Sequence, residues 1–299
     1  MAVPAFAPPV VRCAIVGSME TVDLLEGLAT TRAIRRYRDE PIPADVMARI
    51  MFAATRGPTG SNRQGFRFLV LTDGPRAVEA KALLGQTFRS GWDEKQGTDG
   101  YHEGTGTAAD SPKTRMARTM QQFVDHFERT PAVILACIKR RHGGLADGAS
   151  IFPACQNLLL AARALGYGGV MTGWHRPVEA ELRALLGIPD NFDVAATIPM
   201  GKPEGHHGPV RRRPLAELVF EDTWDQSPPW ALDPPGTRFT QAGPPGPATV
   251  ARRPGRPSSA EPRSKGSGPQ EVEALLEEGE GLGQAEVIDP GQRQQRAVG

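Results

Sequence analysis

The 299-residue sequence lacks most of the features that mark secreted or metal-binding proteins. It has three cysteines, Cys13, Cys137 and Cys155, an odd number without the close spacing of a disulfide framework. Cys137 and Cys155 stand in apolar segments, so we expect reduced, buried thiols in a cytoplasmic protein. The adjacent His206 and His207 have no third ligand at a useful spacing, and we expect no metal.

Long hydrophobic runs and an excess of one charge are also missing. No apolar stretch approaches the roughly 20 residues that span a bilayer, and the first 18 residues lack the basic and apolar regions of a secretory signal. The formal net charge of +1 gives no support for general nucleic-acid binding. We therefore expect neither a membrane nor a nucleic acid as a partner.

Composition divides the chain into three parts. Residues 226–299 contain 12 prolines and 11 glycines among 74 positions and few large apolar side chains, which predicts a disordered tail. Residues 1–18 show no periodicity and are interpreted as a disordered N-terminal extension, with Met19 as a candidate start of the folded part. Residues 19–225 alternate between helical and strand patterns and predict a single folded domain.

Hydrophobic spacing within this domain predicts helices around one sheet, an α+β arrangement. Phe66–Leu71 and Ala132–Ile138 are apolar runs expected to be strands, the second buried on both faces. Ser150–Leu165 is the clearest helix, with Gly166 as the residue that ends it. The weaker patterns predict helices at 46–54, Ala77–Gln86, Thr114–Arg129 and Val178–Leu186 and strands at Gly168–Gly173 and Val194–Met200.

Four segments are candidates for a binding site: TTRAIRRYR (30–38), PTGSNRQ (58–64), GYGGVMTGW (166–174) and GPVRRRPL (208–215). Arginine suits phosphate because its guanidinium offers two parallel hydrogen bonds. A loop of hydroxyls and amides suits a heteroatom-rich ring, and small residues let a backbone approach a flat ligand. Taken singly, the first segment is also compatible with a solvated cationic face or a nucleic-acid contact, and the others with ordinary turns.

The segment Ser90–Pro112 differs from its surroundings. It is polar, glycine-rich and without periodicity, and it is too long for an ordinary connection. This pattern predicts either a functional lid or a mobile loop.

Taken together and in order, these segments resemble the FMN-dependent nitroreductase-like oxidoreductase family over residues 20–225. TTRAIRRY is similar to the N-terminal arginine motif of that family, PTGSNRQGFRFLVL to its polar loop and strand, ACQNLLLAARALGYGGVMTGW to its long helix and loop, and GKP with RRRPL to its C-terminal motif. The resemblance implies a three-layer α/β/α fold around a mixed, mainly antiparallel sheet. It also implies FMN as cofactor, NAD(P)H as co-substrate and a homodimer with FMN at the subunit interface.

The resemblance assigns cofactor contacts but no catalytic side chain, since the flavin carries the chemistry. The implied contacts are Arg32, Ala33 and Arg35 at the phosphate and flavin edge; Thr59, Gly60 and Asn62 reaching the flavin of the other subunit; Thr172 and Gly173 beside flavin N5; and Arg211 and Arg212 at the phosphate.

The chain departs from the family pattern at several of these positions. Thr31 stands where the family has its first arginine, Ala33 replaces a serine, Gly65-Phe66 replaces Pro-Trp, and Thr172 replaces an acidic residue. The resemblance implies ping-pong reduction of an electron-poor acceptor, such as a nitroaromatic or a quinone. Dehalogenation, flavin breakdown, dehydrogenation and a non-enzymatic flavin-binding role stay open as alternatives.

Overall fold

Strand β2 (Ala132–Lys139) forms the centre of the fold. Its residues from Ala132 to Ile138 are all buried, as the apolar run predicted, because helices cover both faces of the strand. The computed structural model describes residues 22–239 of the chain. The other elements in that range are helices α1 (Leu24–Thr30), α2 (Ala44–Ala54), α3 (Pro75–Thr98), α4 (Pro112–Asp125), α5 (Gly144–Ala164) and α6 (Glu179–Leu186), and strands β1 (Phe66–Leu71), β3 (Gly168–Gly169) and β4 (Phe192–Gly201).

The four strands pair in the order β1-β2-β4-β3, and each of these pairs is antiparallel. Ile134 in β2 lies opposite Val70 of β1 and Ile198 of β4. The register between β2 and β4 shifts between Ala136 and Cys137, where β4 has one additional residue, Ala195, as at a β-bulge that increases the local twist. The predicted sheet was mixed and mainly antiparallel, and the pairs among these four strands are all of the antiparallel kind.

Two hydrophobic cores lie on opposite faces of the sheet and produce the expected three-layer α/β/α arrangement. Helices α2 and α5 cover one face, where Ile50 and Leu158 are fully buried together with Ile134 and Ile198 of the sheet. Helices α3, α4 and α6 cover the other face, and burying each large apolar side chain there contributes about 1.5–3 kcal/mol. The largest fully buried side chains of this second core are Phe88, Trp92, Phe127, Leu84, Leu135 and Leu182.

Helix α5 begins at Gly144, before the predicted start at Ser150. The carboxylate of Asp147 accepts hydrogen bonds from the backbone N–H groups of Arg141 (2.9 Å), His142 (3.3 Å) and Gly143 (2.8 Å). These bonds fix the turn between β2 and the helix, a feature that hydrophobic periodicity does not report. At the other end Gly166 has φ +81°, which confirms it as the left-handed residue after the helix.

The prediction of a functional lid or a mobile loop at Ser90–Pro112 is wrong for the first part of that segment, because α3 continues to Thr98. Trp92 in this stretch is fully buried, and its indole N–H donates to Oε1 of Gln121 on α4 at 3.0 Å. The Trp92 ring also packs edge-on against Tyr101 with centroids 5.0 Å apart. These contacts outweigh the low helix propensity of the local glycines. The irregular connection is thus confined to residues 99–111.

Helix α1 carries leucines at helical spacing, but it does not bury them within this chain. Leu24, Leu25 and Leu28 are 67%, 74% and 49% exposed. A stripe of three exposed leucines on one short helix is an apolar surface that a partner could cover.

The ends of the chain bear on the predicted domain boundaries. Residues 1–21 and 240–299, which include Met19 and most of the predicted tail, lie outside the described residues. Residues 226–239 are described, and Asp233 accepts a hydrogen bond from the backbone N–H of Leu215 at 3.0 Å. The boundary at residue 225 stays a prediction. Among the helices of residues 22–239, none combines the length and apolarity needed to cross a bilayer.

Candidate functional site

The N-terminal arginine motif lies as an extended segment at the β3 edge of the sheet. The backbone N–H of Ile34 donates to the carbonyl of Gly169 at 3.0 Å, and the Ile34 side chain is buried. Gly168 permits this approach, because a Cβ at that position would lie 2.6 Å from Cγ1 of Ile34. The Tyr37 hydroxyl lies 2.6 Å from the Ile34 carbonyl and 3.0 Å from the Pro199 carbonyl, so it anchors the segment to β4.

Arg35 is a partly buried cation with no hydrogen bond or ion pair to another residue in the range 22–239. Burial lowers the pKa of its guanidinium, the phenols of Tyr37 and Tyr101 oppose this effect, and the charge of Arg32 adds to it. Arg32 and Arg35 are therefore close enough to repel each other. An anion placed between them would relieve that repulsion.

Arg35 lines a cavity of about 320 Å³ between the N-terminal segment and the end of α4. Its polar lining includes Gln122, His126 and Arg129, which the sequence analysis did not nominate. These three residues belong to the stretch Thr114–Arg129, which was predicted only as a helix. A polar residue near the end of an amphipathic helix carries no local signal that it borders a cavity, so sequence reasoning had no means to find them.

The polar loop at residues 58–64 has an unusual backbone. Ser61, Asn62 and Gln64 all have φ of 50°, a left-handed conformation that costs non-glycine residues about 1 kcal/mol or more each. Local hydrogen bonds hold it, from Gln64 N–H to Thr59 Oγ1 at 3.0 Å and from the Gln64 amide to Asn62 Oδ1 at 3.3 Å. Such concentrated strain is typical of loops that bind ligands.

This loop packs on α5. The Gly60 N–H donates to Ser150 Oγ at 3.3 Å. Within the described part of the chain, no hydrogen bond or ion pair joins Thr59, Gly60 or Asn62 to Arg32 or Arg35. One subunit therefore does not bring these two groups of predicted contacts together by direct bonding.

Thr172 and Gly173 lie on the segment that continues from β3. Thr172 exchanges two backbone hydrogen bonds with Thr197 of β4, both 2.9 Å. The hydroxyls of Thr172 and Thr197 are buried without a hydrogen-bond partner among the described residues. The N–H of Gly173 also has no acceptor within residues 22–239, and Gly173 itself is exposed. A backbone donor is thus left available on the same connection that supports Ile34.

Gly173 opens onto a groove of about 710 Å³ between this connection and the C-terminal half of α3. Trp174 and Arg176 line one side, and Ser90, Gly91 and Lys95 are among the residues on the other. The Trp174 ring packs edge-on against Phe88 with centroids 5.1 Å apart, which holds it in place. The groove is large enough for an aromatic ligand.

The C-terminal basic segment returns to the N-terminal motif through its backbone. Gly208 N–H donates to the Thr30 carbonyl at 3.3 Å and Val210 N–H to the Ala29 carbonyl at 3.0 Å. Arg211 and Arg212 follow this pairing and are exposed. Among the described residues the Arg212 guanidinium bonds only to the Arg211 carbonyl, at 2.9 Å.

The described cysteines lie in the hydrophobic core. Cys137 and Cys155 are buried free thiols, as expected, and burial raises the pKa of Cys137 to about 11 and that of Cys155 to about 12. Both thiols are therefore protonated at neutral pH and are poor nucleophiles. Cys13 lies outside the described residues. Residues 22–239 contain no group of three His, Cys, Asp or Glu side chains placed to hold a metal ion.

Comparison with known proteins gives a family match and a set of similar folds. The sequence model described as "Nitroreductase family" matches residues 28–202, more than half of the chain. A Methanothermobacter thermautotrophicus protein, whose name pairs NADH dehydrogenase with NAD(P)H nitroreductase, is 28% identical over 198 residues, covering 64% of this chain and 83% of that protein. Iodotyrosine deiodinase 1 of Rattus norvegicus is 23% identical over 196 residues, and the match spans 62% of this chain and 64% of the deiodinase.

Solved structures share the fold. A mutant of an FMN- and NADPH-dependent nitroreductase from Sphigopyxis sp. strain HMH aligns with TM-score 0.53 and 23% identity, over 68% of this chain and 100% of that one. The NADPH:FMN oxidoreductase of Vibrio harveyi, complexed with NAD+, aligns with TM-score 0.50 and 20% identity, over 67% of this chain and 77% of that one.

Proposed function

The chain belongs to the nitroreductase family, and we propose that it is an FMN-dependent oxidoreductase that takes hydride from NAD(P)H and reduces an electron-poor acceptor. The observation that carries this proposal is Arg35, a partly buried guanidinium with no partner in residues 22–239, beside a second cation at Arg32. The segment that holds them is bonded to Gly169, and the free N–H of Gly173 follows on the same connection. This arrangement suits a ligand with an anionic end and a flat, hydrogen-bonding ring.

The available donors fit FMN. Arg32, the backbone at Ala33, and Arg35 would hold the phosphate and the anionic edge of the ring. The Gly173 N–H would meet a ring acceptor, with Thr172 beside it, and a backbone donor fixed in advance costs no reorganisation. Arg211 and Arg212 would add positive charge at the phosphate end. When bound, FMN supplies the hydride and electron transfer.

The groove beside Gly173 is where we place the nicotinamide donor and the acceptor. Trp174 offers an aromatic wall for a flat ligand, and Arg176 has no ion pair in residues 22–239. Because both substrates would use the same groove, they must occupy it in turn. We therefore expect ping-pong kinetics, with parallel double-reciprocal plots for NAD(P)H and a quinone or nitroaromatic acceptor.

A direct test is reconstitution with FMN. The purified protein should bind FMN, become yellow and lose its flavin absorbance when NADH or NADPH is added without oxygen. A nitroaromatic or quinone should then restore the absorbance. A protein that cannot be reconstituted would contradict the proposal. FMN that binds but is reduced by neither nicotinamide would favour the non-enzymatic flavin-binding role.

A second candidate is reductive dehalogenation, which the similarity to iodotyrosine deiodinase favours. In that reaction an aromatic carbon–halogen bond is replaced by a carbon–hydrogen bond. The nicotinamide donor supplies two electrons, solvent supplies a proton, and halide leaves. Measuring halide release from halogenated phenols alongside nitroaromatic reduction, with the same reduced protein, distinguishes the two reactions.

We also propose a homodimer in the cytoplasm. The family resemblance assigns the Asn62 loop to the flavin of the other subunit, and in this chain the loop is held against α5. The exposed leucines of α1 give an apolar surface for that contact. The protonated, unpaired thiols of Cys137 and Cys155 support a reducing compartment.

A further inference from the structure

Arg163, on the last turn of α5, has a poorly satisfied guanidinium. Its Nη2 lies 3.5 Å from Oγ1 of Thr30, the outer limit of a hydrogen bond, and 3.9 Å from a carboxylate oxygen of Glu26. Its Nε is buried with no partner among the described residues. A guanidinium has five N–H donors, so most of the donors of Arg163 are unused. The Arg163 side chain is only 20% exposed, so water satisfies few of them.

His207 lies beside Arg163 in a similar condition. Its Nε2 is 3.0 Å from the Tyr167 carbonyl, and its Nδ1 is buried without a partner in residues 22–239. Burial lowers the pKa of His207, the hydrogen bond to Tyr167 opposes this, and the charges of Arg163 and Arg32 add to the lowering. Arg163 contacts Thr30, two residues before Arg32, and the charges of both arginines act on His207, so the three residues share one region of the fold.

The local charge in this region is incompletely balanced. Glu26 is the carboxylate paired with Arg163, but its side chain is 60% exposed and the 3.9 Å separation makes a weak ion pair. Arg163 is largely buried, whereas Arg32 is exposed, and a second cation nearby is unfavourable for a buried one. An anion with several oxygens would balance the two arginines and accept the unused donors.

Arg163 also lies close to the residue at which the N-terminal motif departs from the family pattern. Thr31 occupies the place where the resembling family has its first arginine, and Arg163 contacts the preceding Thr30. We propose that Arg163 supplies the missing guanidinium and, with Arg32, holds the phosphate end of the cofactor beside His207. This inference rests on the proposed function, because it identifies the ligand as FMN.

Comparing FMN with riboflavin, which lacks the phosphate, tests the inference through binding alone. Flavin fluorescence quenching gives the Kd of each ligand for wild type and Arg163→Gln. We expect Arg163→Gln to weaken FMN binding about 10- to 100-fold, as for a lost hydrogen bond to a charged group, and to leave riboflavin binding within about twofold. The ratio of the two affinities within one variant is insensitive to a general loss of stability.

Glu26→Gln is the matched control, since it removes the carboxylate that Arg163 approaches. If Arg163 serves only to pair with Glu26, both variants should change FMN affinity alike, and that outcome would overturn the inference. Arg163→Lys, which keeps the charge but not the forked donors, should fall between wild type and Arg163→Gln. An unchanged FMN to riboflavin ratio in Arg163→Gln would also overturn it. If wild type binds neither flavin, the proposed function itself fails, and this inference fails with it.

Discussion

At the scale of single residues, the arginines of the N-terminal motif divide by their surroundings. Arg35 is partly buried beside the charge of Arg32, whereas Arg38 is exposed at the end of the segment. The four arginines have the same local sequence context, and the contact between Ile34 and Gly169 decides how the segment lies. Composition therefore identified the cationic segment. Only the family pattern indicated which of its arginines should contact the cofactor.

Replacing Arg32 by alanine should weaken FMN retention much more than replacing Arg38. Loss of a charged hydrogen bond to the phosphate predicts about a 10- to 100-fold rise in the Kd for Arg32→Ala. Arg38→Ala should change the Kd less than about threefold, since only Arg32 matches a cofactor-contact position of the family pattern. Flavin fluorescence during dialysis against FMN-free buffer measures both. Equal loss in the two variants would show that only the total charge of the segment matters.

Asp147 is a second residue whose effect follows from its bonds. Three backbone N–H groups bond to its carboxylate, and the one from Arg141 contributes most to holding its pKa below the ordinary value of about 3.9. Such a group stabilises the fold above its unfolded pKa, and the contribution is lost as pH falls through the lower folded pKa. Asp147→Asn should therefore be less stable than wild type at pH 6 in urea unfolding. The difference should shrink steadily below pH 4, and a difference independent of pH would contradict this assignment.

At the scale of elements, apolar runs in the sequence predicted the strands well, because these elements depend on residues that are close together in the chain. Phe66–Leu71 is a strand with the predicted bounds, and β2 extends the predicted apolar run by a single exposed residue, Lys139. Helix α3 was predicted too short, because its second half depends on Trp92 reaching Gln121 on another helix. Contacts between elements distant in the chain leave no periodic signal in the sequence. For the same reason no sequence pattern indicated Arg163, because its proposed role depends on its contact with Thr30.

The junction between α2 and the polar loop offers a test of such a contact. A Cβ at Gly57 would lie 2.7 Å from the backbone N of Ala154 and 2.8 Å from its Cα, and helix backbone cannot move aside cheaply. Gly57→Ala should lower the free energy of unfolding by about 1–3 kcal/mol, seen as a lower urea midpoint with an unchanged m-value. Gly65→Ala is the control, since its nearest neighbours are side-chain atoms at 3.7 Å. A stability loss of the same size in both variants would point to glycine conformation and not to steric contact.

At the scale of the whole molecule, the predicted cofactor contacts lie on separate elements of the chain. Arg32 and Arg35 lie at the β3 edge of the sheet, and Asn62 lies on a strained loop against α5. The sequence supported the fold because its apolar pattern and motif order are properties of a single chain. Subunit association depends on which side chains are exposed. The exposure of the α1 leucines follows from the position of the helix in the fold and not from the sequence pattern.

If each flavin site contains residues of both subunits, a variant that separates the subunits should also lose its flavin. Leu25→Glu places a charge on the exposed α1 surface, and burying that charge in a subunit contact would be costly. Light scattering should show a dimeric wild type and a monomeric Leu25→Glu that has lost most of its FMN, because the Asn62 loop of the partner is gone. Leu145→Glu, at a position 93% exposed on α5, should stay dimeric and keep its flavin. A monomer that retained FMN would break the link between dimer and site, and it would require the Asn62 loop to serve its own chain.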